Sequence, residues 1–237
     1  MAFPFRPTRR QFAGLSGLAA AGVLVRGGER TAPAAPPSVL TPDEVLRKLL
    51  EGNRRFMKGA TTDPRRKPED FAPLAEGQNP LAVIVGCADS RVSPEILFDQ
   101  GVGDLFVVRV AGNVISGAGA VVKGSIEYAV AELGVSLVMV LGHTQCGAVK
   151  AAIKHIAASD AVPGAIRELV TTIKPAVVRA KDRPGDALEN AIKANVELGV
   201  ERLQSLEPIL SGPVKQGKLK VVGGVYDLRT GGVTVIP

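Results

Sequence analysis

The chain has 237 residues, of which 46% are hydrophobic, and this is enough for one large globular domain or two small ones. Its formal net charge is +6, but the first 34 residues carry five arginines and one glutamate, so only +2 falls on the remainder. Nucleic-acid binding needs clustered basic residues on the folded domain, and this small charge, with 4% aromatic residues, argues against it.

The N-terminus has the order of an export signal. Arg9 and Arg10 precede an uncharged apolar segment, residues 13–25, and a small-residue cleavage site follows at residues 32–34. The paired arginines resemble those of twin-arginine signals, a route associated with proteins exported already folded. The apolar segment is shorter than the roughly 20 residues that span a bilayer. We therefore predict a signal peptide over residues 1–34, a periplasmic location and no stable membrane span in the mature protein.

A linker over residues 35–41 leads into the first predicted helix, which begins at Pro42 and ends near Lys58. Thr41 is a preferred N-cap residue, proline suits the first turn, and two acidic residues follow near the positive helix end. The apolar residues of this segment share one face, so the helix should pack on another surface. We expect an N-terminal helical arm on a domain that covers residues 42–237.

Beyond residue 80, short apolar runs rich in β-branched residues alternate with helical patterns. Continuous apolar runs indicate strands buried on both faces, here residues 81–85, 105–110, 137–141, 219–225 and 233–236. The helical patterns cover residues 119–133, 147–158, 162–179 and 186–205. This alternation predicts a single α/β domain with a central, mainly parallel sheet of four or five strands flanked by helices.

Two cysteines and a histidine follow strands of this sheet. Cys87 comes just after the first strand, and His143 and Cys146 follow the third. Functional groups of such sheets lie past the carboxyl ends of the strands, so the three side chains meet if these strands are neighbours. Two thiolates and one imidazole are the three protein ligands of a catalytic zinc site. A Cys87–Cys146 disulfide, favoured in an oxidising compartment, and a buried histidine would fit the same spacing.

The motifs around these residues resemble those of the β-class carbonic anhydrases. Cys-Ala-Asp-Ser-Arg-Val at residues 87–92 and His-Thr-Gln-Cys-Gly at residues 143–147 match the paired zinc motifs C-x-D-x-R and H-x-x-C of that family. The likeness runs from about residue 42 to residue 225, including Gly-Gln-Asn-Pro at 77–80, Phe-Val-Val-Arg at 106–109, Ala-Gly-Asn at 111–113 and Ile-Glu-Tyr at 126–128.

The resemblance implies a zinc enzyme that hydrates carbon dioxide reversibly to bicarbonate by means of a zinc-bound hydroxide. It makes Cys87, His143 and Cys146 the ligands of one Zn²⁺ per chain and Asp89 and Arg91 the catalytic pair. The carboxylate would accept the hydrogen bond of the hydroxide, and the guanidinium would hold that carboxylate away from the metal. On spacing alone, the pair could also be a surface ion pair worth roughly 0 to 1 kcal/mol.

The same resemblance implies that Gln78, Phe106 and Tyr128 bind substrate, partly across a subunit boundary, although core packing is the alternative for such residues. The bicarbonate-inhibited subclass carries a tryptophan in the strand that leads to the first cysteine ligand. This chain has Ile84 there and no tryptophan, so we predict the plant-like subclass with an open zinc site.

Several expectations remain open at the level of sequence. The same site could act on carbon disulfide or carbonyl sulfide, or the protein could bind zinc or bicarbonate without catalysis if Asp89 closed the site. The resemblance implies a homodimer or a higher even homo-oligomer, with the N-terminal helix wrapping the neighbour. The other histidine, His155, is expected to face solvent or to pack rather than to shuttle protons.

Overall fold

The computed structural model describes residues 40–236, so the predicted export signal and most of the linker lie outside the described residues. Its helices are α1 (Pro42–Met57), α2 (Pro94–Leu97), α3 (Gly119–Ala131), α4 (Gly147–Ala158), α5 (Ile166–Ala180), α6 (Ala187–Gln204) and α7 (Ser211–Lys215). Its strands are β1 (Ala82–Gly86), β2 (Leu105–Arg109), β3 (Leu137–His143), β4 (Lys220–Tyr226) and β5 (Val233–Ile236).

The five strands form one sheet in the order β2-β1-β3-β4-β5. All neighbouring pairs are parallel except β4 and β5, which are antiparallel. This confirms the α/β domain with a central, mainly parallel sheet. Every residue of β1 and of β3 is buried, as their continuous apolar sequences predicted. The two strands pair directly, with Gly86 opposite Leu141, so the loops that follow them meet at one edge of the sheet.

Helix α1 begins with a capping box and packs on its own chain. The Thr41 hydroxyl accepts a hydrogen bond from the Glu44 amide, and the Glu44 carboxylate accepts one from the Thr41 amide. Val45 and Leu49 are buried in a hydrophobic cluster with residues of the sheet. Helix α1 is thus docked on the sheet of its own chain, and its contact with a neighbouring subunit stays a prediction.

Helix α6 packs across β3 and β4, directly behind the carboxyl end of β3. The contact is close at Gly142, where an added Cβ would lie only 2.6 Å from Val196 Cγ2. A side chain at position 142 would therefore push α6 away from the strand that carries His143. Within residues 40–236, no helix is long and apolar enough to cross a membrane.

Candidate metal centre

Three potential metal ligands converge at the carboxyl edge of the sheet. Cys87 follows β1 directly, His143 is the last residue of β3, and Cys146 is the N-cap residue of α4. The donor atoms of the three side chains lie within 4.8 Å of one another, and all three residues are buried. Both cysteines are free thiols rather than a disulfide. The structure thus brings together the three residues that the sequence placed after these two strands.

The orientation of the His143 ring is fixed by the residue that follows it. Nδ1 lies 3.0 Å from the Thr144 carbonyl oxygen, and because a carbonyl can only accept, Nδ1 must carry the proton. Thr144 is itself held by the Tyr226 carbonyl and the Leu228 amide. The unprotonated Nε2 is therefore directed to the two sulfur atoms, and this buried atom has no hydrogen-bond partner among the described residues.

The pKa values of the two cysteine thiols are shifted in opposite directions. The pKa of the Cys87 thiol is well below its ordinary value, chiefly because the Cys146 thiol donates a hydrogen bond to it, with further support from the Asp89 and Gly112 amides. The Gly112 N–H lies 3.2 Å from Cys87 Sγ. The pKa of Cys146 is raised, chiefly by that same interaction with Cys87 and then by burial. A coordinating metal ion would bind both sulfur atoms as thiolates and displace any remaining thiol proton.

Asp89 and Arg91 form a bidentate pair beside this cluster. Arg91 Nε donates to Asp89 Oδ1 at 2.9 Å, and an Arg91 terminal nitrogen donates to Oδ2 at 2.7 Å. The Arg91 amide adds a third bond to Oδ1 at 3.0 Å. These hydrogen bonds, led by that of the guanidinium, hold the pKa of Asp89 far below its ordinary range. Oδ2 lies 3.8 Å from His143 Nε2, so an ionised carboxylate borders the three donors.

Arg109 holds the backbone between these two groups, a role that the sequence analysis did not assign. It is the last residue of β2 and lies opposite Gly86. Its Nε donates to the Cys87 carbonyl at 2.9 Å, and a terminal nitrogen donates to the Asp89 carbonyl at 2.5 Å. The arginine that ends the Phe-Val-Val-Arg motif was the available signal, because the end of a neighbouring strand can reach this loop.

The donor set fits a zinc ion. Two cysteine sulfurs and one histidine nitrogen are ligands that zinc prefers, and three protein ligands are typical of a catalytic rather than a closed site. The unpartnered Nε2 of His143 supports this assignment, because an isolated buried acceptor is otherwise costly. The Nδ1 bond to a backbone carbonyl is the usual second interaction of a metal-binding histidine.

The proposed substrate residues lie apart from the donors within one chain. Gln78 is in an exposed loop. Phe106 and Tyr128 contact each other, with ring centroids 6.3 Å apart, and Tyr128 is 48% exposed. Phe106 lies opposite Val83, four residues before Cys87 along β1. The strand register therefore places Phe106, and with it the Tyr128 ring, away from the metal centre of the same chain.

Comparison with known proteins identifies relatives of this chain in sequence and in structure. The family model described as carbonic anhydrase matches residues 82–233. Carbonic anhydrase 2 of Mycobacterium tuberculosis is 42% identical over 190 residues, covering 80% of this chain and 90% of that protein. A carbonic anhydrase of Pseudomonas aeruginosa is 35% identical over 197 residues, covering 81% and 87%.

Solved structures agree with the sequence relatives. The β-carbonic anhydrase CcaA superposes with a TM-score of 0.64 at 27% identity, covering 81% of this chain and 95% of that one. Two tetrameric β-carbonic anhydrases are known from the ascomycete Sordaria macrospora, and the matching chain has a TM-score of 0.63, 27% identity and coverage of 81% and 96%. The Coccomyxa β-carbonic anhydrase, solved with acetazolamide, has a TM-score of 0.61 at 29% identity, covering 81% and 86%.

Proposed function

This chain belongs to the β-class carbonic anhydrases and is a zinc-dependent lyase that interconverts carbon dioxide and bicarbonate, and we propose that its metal site is open, with Asp89 and Arg91 as the catalytic pair. One observation carries this proposal. The three buried donors of Cys87, His143 and Cys146 lie within 4.8 Å of one another, and a carboxylate held on both oxygens borders them. The relatives are carbonic anhydrases, so action on carbon disulfide or carbonyl sulfide and a purely binding role are not favoured.

The three donors would hold the zinc ion, and the remaining residues would act on the reactants. When bound, zinc lowers the pKa of a water molecule to about 7, so that hydroxide is available at neutral pH. Cys87 and Cys146 supply the negative charge that retains the cation. His143 supplies a neutral nitrogen, because the Thr144 carbonyl keeps the ring proton on Nδ1.

Asp89 orients the attacking hydroxide. Its low pKa keeps the carboxylate ionised at neutral pH, so it can only accept a hydrogen bond and not donate one. It would therefore accept a hydrogen bond from the hydroxide, which would orient an oxygen lone pair toward the carbon atom of carbon dioxide. Arg91 occupies both carboxylate oxygens and so opposes the approach of Asp89 to the metal.

The plant-like subclass is the finer assignment that we propose. Position 84 in β1 holds isoleucine where the bicarbonate-inhibited subclass has tryptophan, and the chain contains no tryptophan. Gln78, Phe106 and Tyr128 would bind substrate in the centre of a second copy. The separation of Phe106 from Cys87 along the sheet supports a pocket that is completed across a subunit boundary.

We also propose a homodimeric unit and export to the periplasm. Relatives of known structure include tetrameric enzymes, and α3 exposes Val121 and Tyr128, two apolar side chains that are seven residues apart on one helix face. The twin-arginine pattern in residues 1–34 supports export. N-terminal sequencing of the periplasmic protein should begin near residue 35, whereas unprocessed, protease-resistant protein confined to the cytoplasm would contradict the signal.

The catalytic proposal is tested by stopped-flow hydration of carbon dioxide on protein of measured zinc content. We expect rapid hydration that is lost when a chelator removes zinc and is restored on its return. Carbonyl sulfide hydrolysis is measured in parallel on the same preparation. Zinc-loaded protein that hydrolyses only carbonyl sulfide would support the alternative substrate, and zinc-loaded protein inactive on both would support a binding protein.

A further inference from the structure

Asn195 is the one polar side chain among the buried residues of α6, a helix that lies wholly within the described part of the chain. Its position along the helix places it between Ala194 and Val196, which are both buried. Its Nδ2 donates a hydrogen bond to the Gly112 carbonyl oxygen at 2.7 Å. The two residues are 83 positions apart in the chain. A polar side chain on the buried face of a helix needs such a partner, and here that partner is a backbone group at the metal centre.

Gly112 connects this bond to the metal centre. While its carbonyl accepts from Asn195, its amide donates to Cys87 Sγ at 3.2 Å. Gly112 has the left-handed φ of 69°, and an added Cβ would lie 3.0 Å from Ile173 Cδ1. Glycine suits this backbone, but it adopts positive and negative φ about equally well. The residue therefore needs an external bond to keep its amide directed at the sulfur atom.

We propose that Asn195 is a positioning residue of the metal centre, which acts through the Gly112 backbone to hold the hydrogen bond on Cys87 Sγ. This inference rests on the proposed zinc site. Without the Asn195 donor, the buried Gly112 carbonyl loses its side-chain partner, and the backbone at this glycine is no longer held in the conformation that directs the Gly112 amide at Cys87. The ligand then loses a fixed orientation and a hydrogen bond that stabilises its thiolate form.

The test compares Asn195→Leu with Asn190→Leu on the same helix. Asn190 Nδ2 also donates to backbone carbonyls, those of Arg183 at 3.2 Å and Pro184 at 3.0 Å, but it contacts none of the metal-centre residues named above. Zinc affinity is measured by competition with a chromophoric chelator. Cobalt(II) is then substituted for zinc, and the sulfur-to-cobalt charge-transfer absorption is recorded. Thermal unfolding of each apoprotein reports its stability.

We expect Asn195→Leu to bind zinc about 10- to 100-fold more weakly and to shift the charge-transfer band, with Asn190→Leu unchanged in both. Unchanged affinity and absorption in folded Asn195→Leu, or equal weakening in both variants, would overturn the inference. Wild-type protein that fails to bind zinc would instead overturn the proposed function. If Asn195→Leu does not fold, Asn195→Ala replaces it, because a methyl side chain is smaller than the native one and cannot donate to the Gly112 carbonyl.

Discussion

At the scale of single residues, the unusual feature of the site is a carboxylate that is close to the metal ligands while both of its oxygens are hydrogen-bonded to one arginine. Both oxygens of Asp89 accept hydrogen bonds from Arg91, and the charge-assisted, bidentate geometry is the strong form of this interaction. The exposed guanidinium would contribute little to stability as a surface ion pair. The main effect of Arg91 is therefore to fix the orientation of the Asp89 carboxylate.

Replacing Arg91 by alanine should therefore impair catalysis more than folding. We expect kcat/KM for carbon dioxide hydration to fall about 100-fold or more at neutral pH, because the freed carboxylate no longer points at the hydroxide and can approach the metal. Stopped-flow kinetics on zinc-verified protein measure this. Arg47→Ala, which removes an exposed arginine 4.0 Å from Glu44, is the control and should leave kcat/KM unchanged. Equal rates for Arg91→Ala and wild type would show that the pair is only structural.

His155 should not be needed for proton transfer. It lies nine residues after Cys146 on α4, about 13 Å away at the helical rise per residue, and its Nδ1 is bonded to Asp160 at 2.7 Å. We expect His155→Ala to have wild-type turnover at saturating buffer. A turnover that falls severalfold and is rescued by added imidazole would assign a proton shuttle to this residue.

The sequence placed Cys87, His143 and Cys146 at the carboxyl ends of two buried strands, which meet at one edge of a parallel sheet, and the family resemblance named them as zinc ligands. It did not predict the residues that support them. Arg109 reaches Cys87 across 22 positions, and Asn195 reaches Gly112 across 83. Such contacts depend on strand register and on the packing of α6, which a single sequence does not encode locally.

At the scale of elements, buried Asp99 joins the end of α1 to the loop before β1. Its carboxylate accepts from the Thr62 and Asp63 amides at 3.0 Å and from Arg55 Nε at 2.6 Å. Burial alone would raise the pKa of Asp99, but these hydrogen bonds outweigh it and lower the pKa to about 2 from the model-compound value of 3.8. The ionised form therefore stabilises the folded state.

Asp99→Asn should destabilise the fold by about 2 kcal/mol at pH 7, since one pKa unit corresponds to about 1.4 kcal/mol. The folded pKa is the lower one, so this contribution is complete above about pH 4 and is lost as the pH falls through about 2. Near pH 3, about half of the difference in unfolding free energy between wild type and Asp99→Asn should remain. Asparagine tolerates the positive φ of 48° at this position, so backbone strain does not confound the comparison.

Urea unfolding at both pH values measures this difference in free energy. Asp43→Asn is the control, because that side chain is 75% exposed and its ion pair with Lys220 should contribute at most about 1 kcal/mol. A wild-type advantage over Asp99→Asn that stays constant from pH 7 to pH 3 would contradict the role of the Asp99 charge.

The sequence predicted all five strands and the five long helices because their hydrophobic patterns are sustained. It missed α2 and α7, which have four and five residues and are too short to show a helical period. It predicted that α1 packs through its apolar face, but an apolar helix face does not reveal which surface covers it, and the contact with a neighbouring subunit stays a prediction. Helix α1 approaches its own chain closely at Gly52, where an added Cβ would lie 1.7 Å from the Phe98 carbonyl oxygen.

At the scale of the whole molecule, the proposed dimer accounts for two separate observations. The substrate residues lie apart from their own metal centre, and α3 leaves apolar side chains uncovered in the single chain. An interface that covers α3 would bury this face and could bring Tyr128 to the centre of the partner. Aromatic side chains are typical of such interface cores.

Val121→Arg should therefore shift the protein toward monomers and reduce carbon dioxide hydration together. Val121 is 82% exposed in the single chain, and a buried arginine without a partner would oppose association. Light scattering after size exclusion gives the mass, and kinetics are recorded at the same concentrations. Val178→Arg on α5, 60% exposed, is the control. A fully active monomer would contradict the shared pocket.

The central claim is that Asp89 directs the hydroxide without serving as a zinc ligand. Its most direct test is carbon dioxide hydration by Asp89→Asn across about pH 6 to 9, with the zinc content of each sample measured. We expect the variant to retain one zinc per chain while kcat/KM falls by a factor on the order of 100 or more, because the amide cannot reproduce the ionised acceptor. A zinc-loaded variant with wild-type kcat/KM at every pH would contradict it.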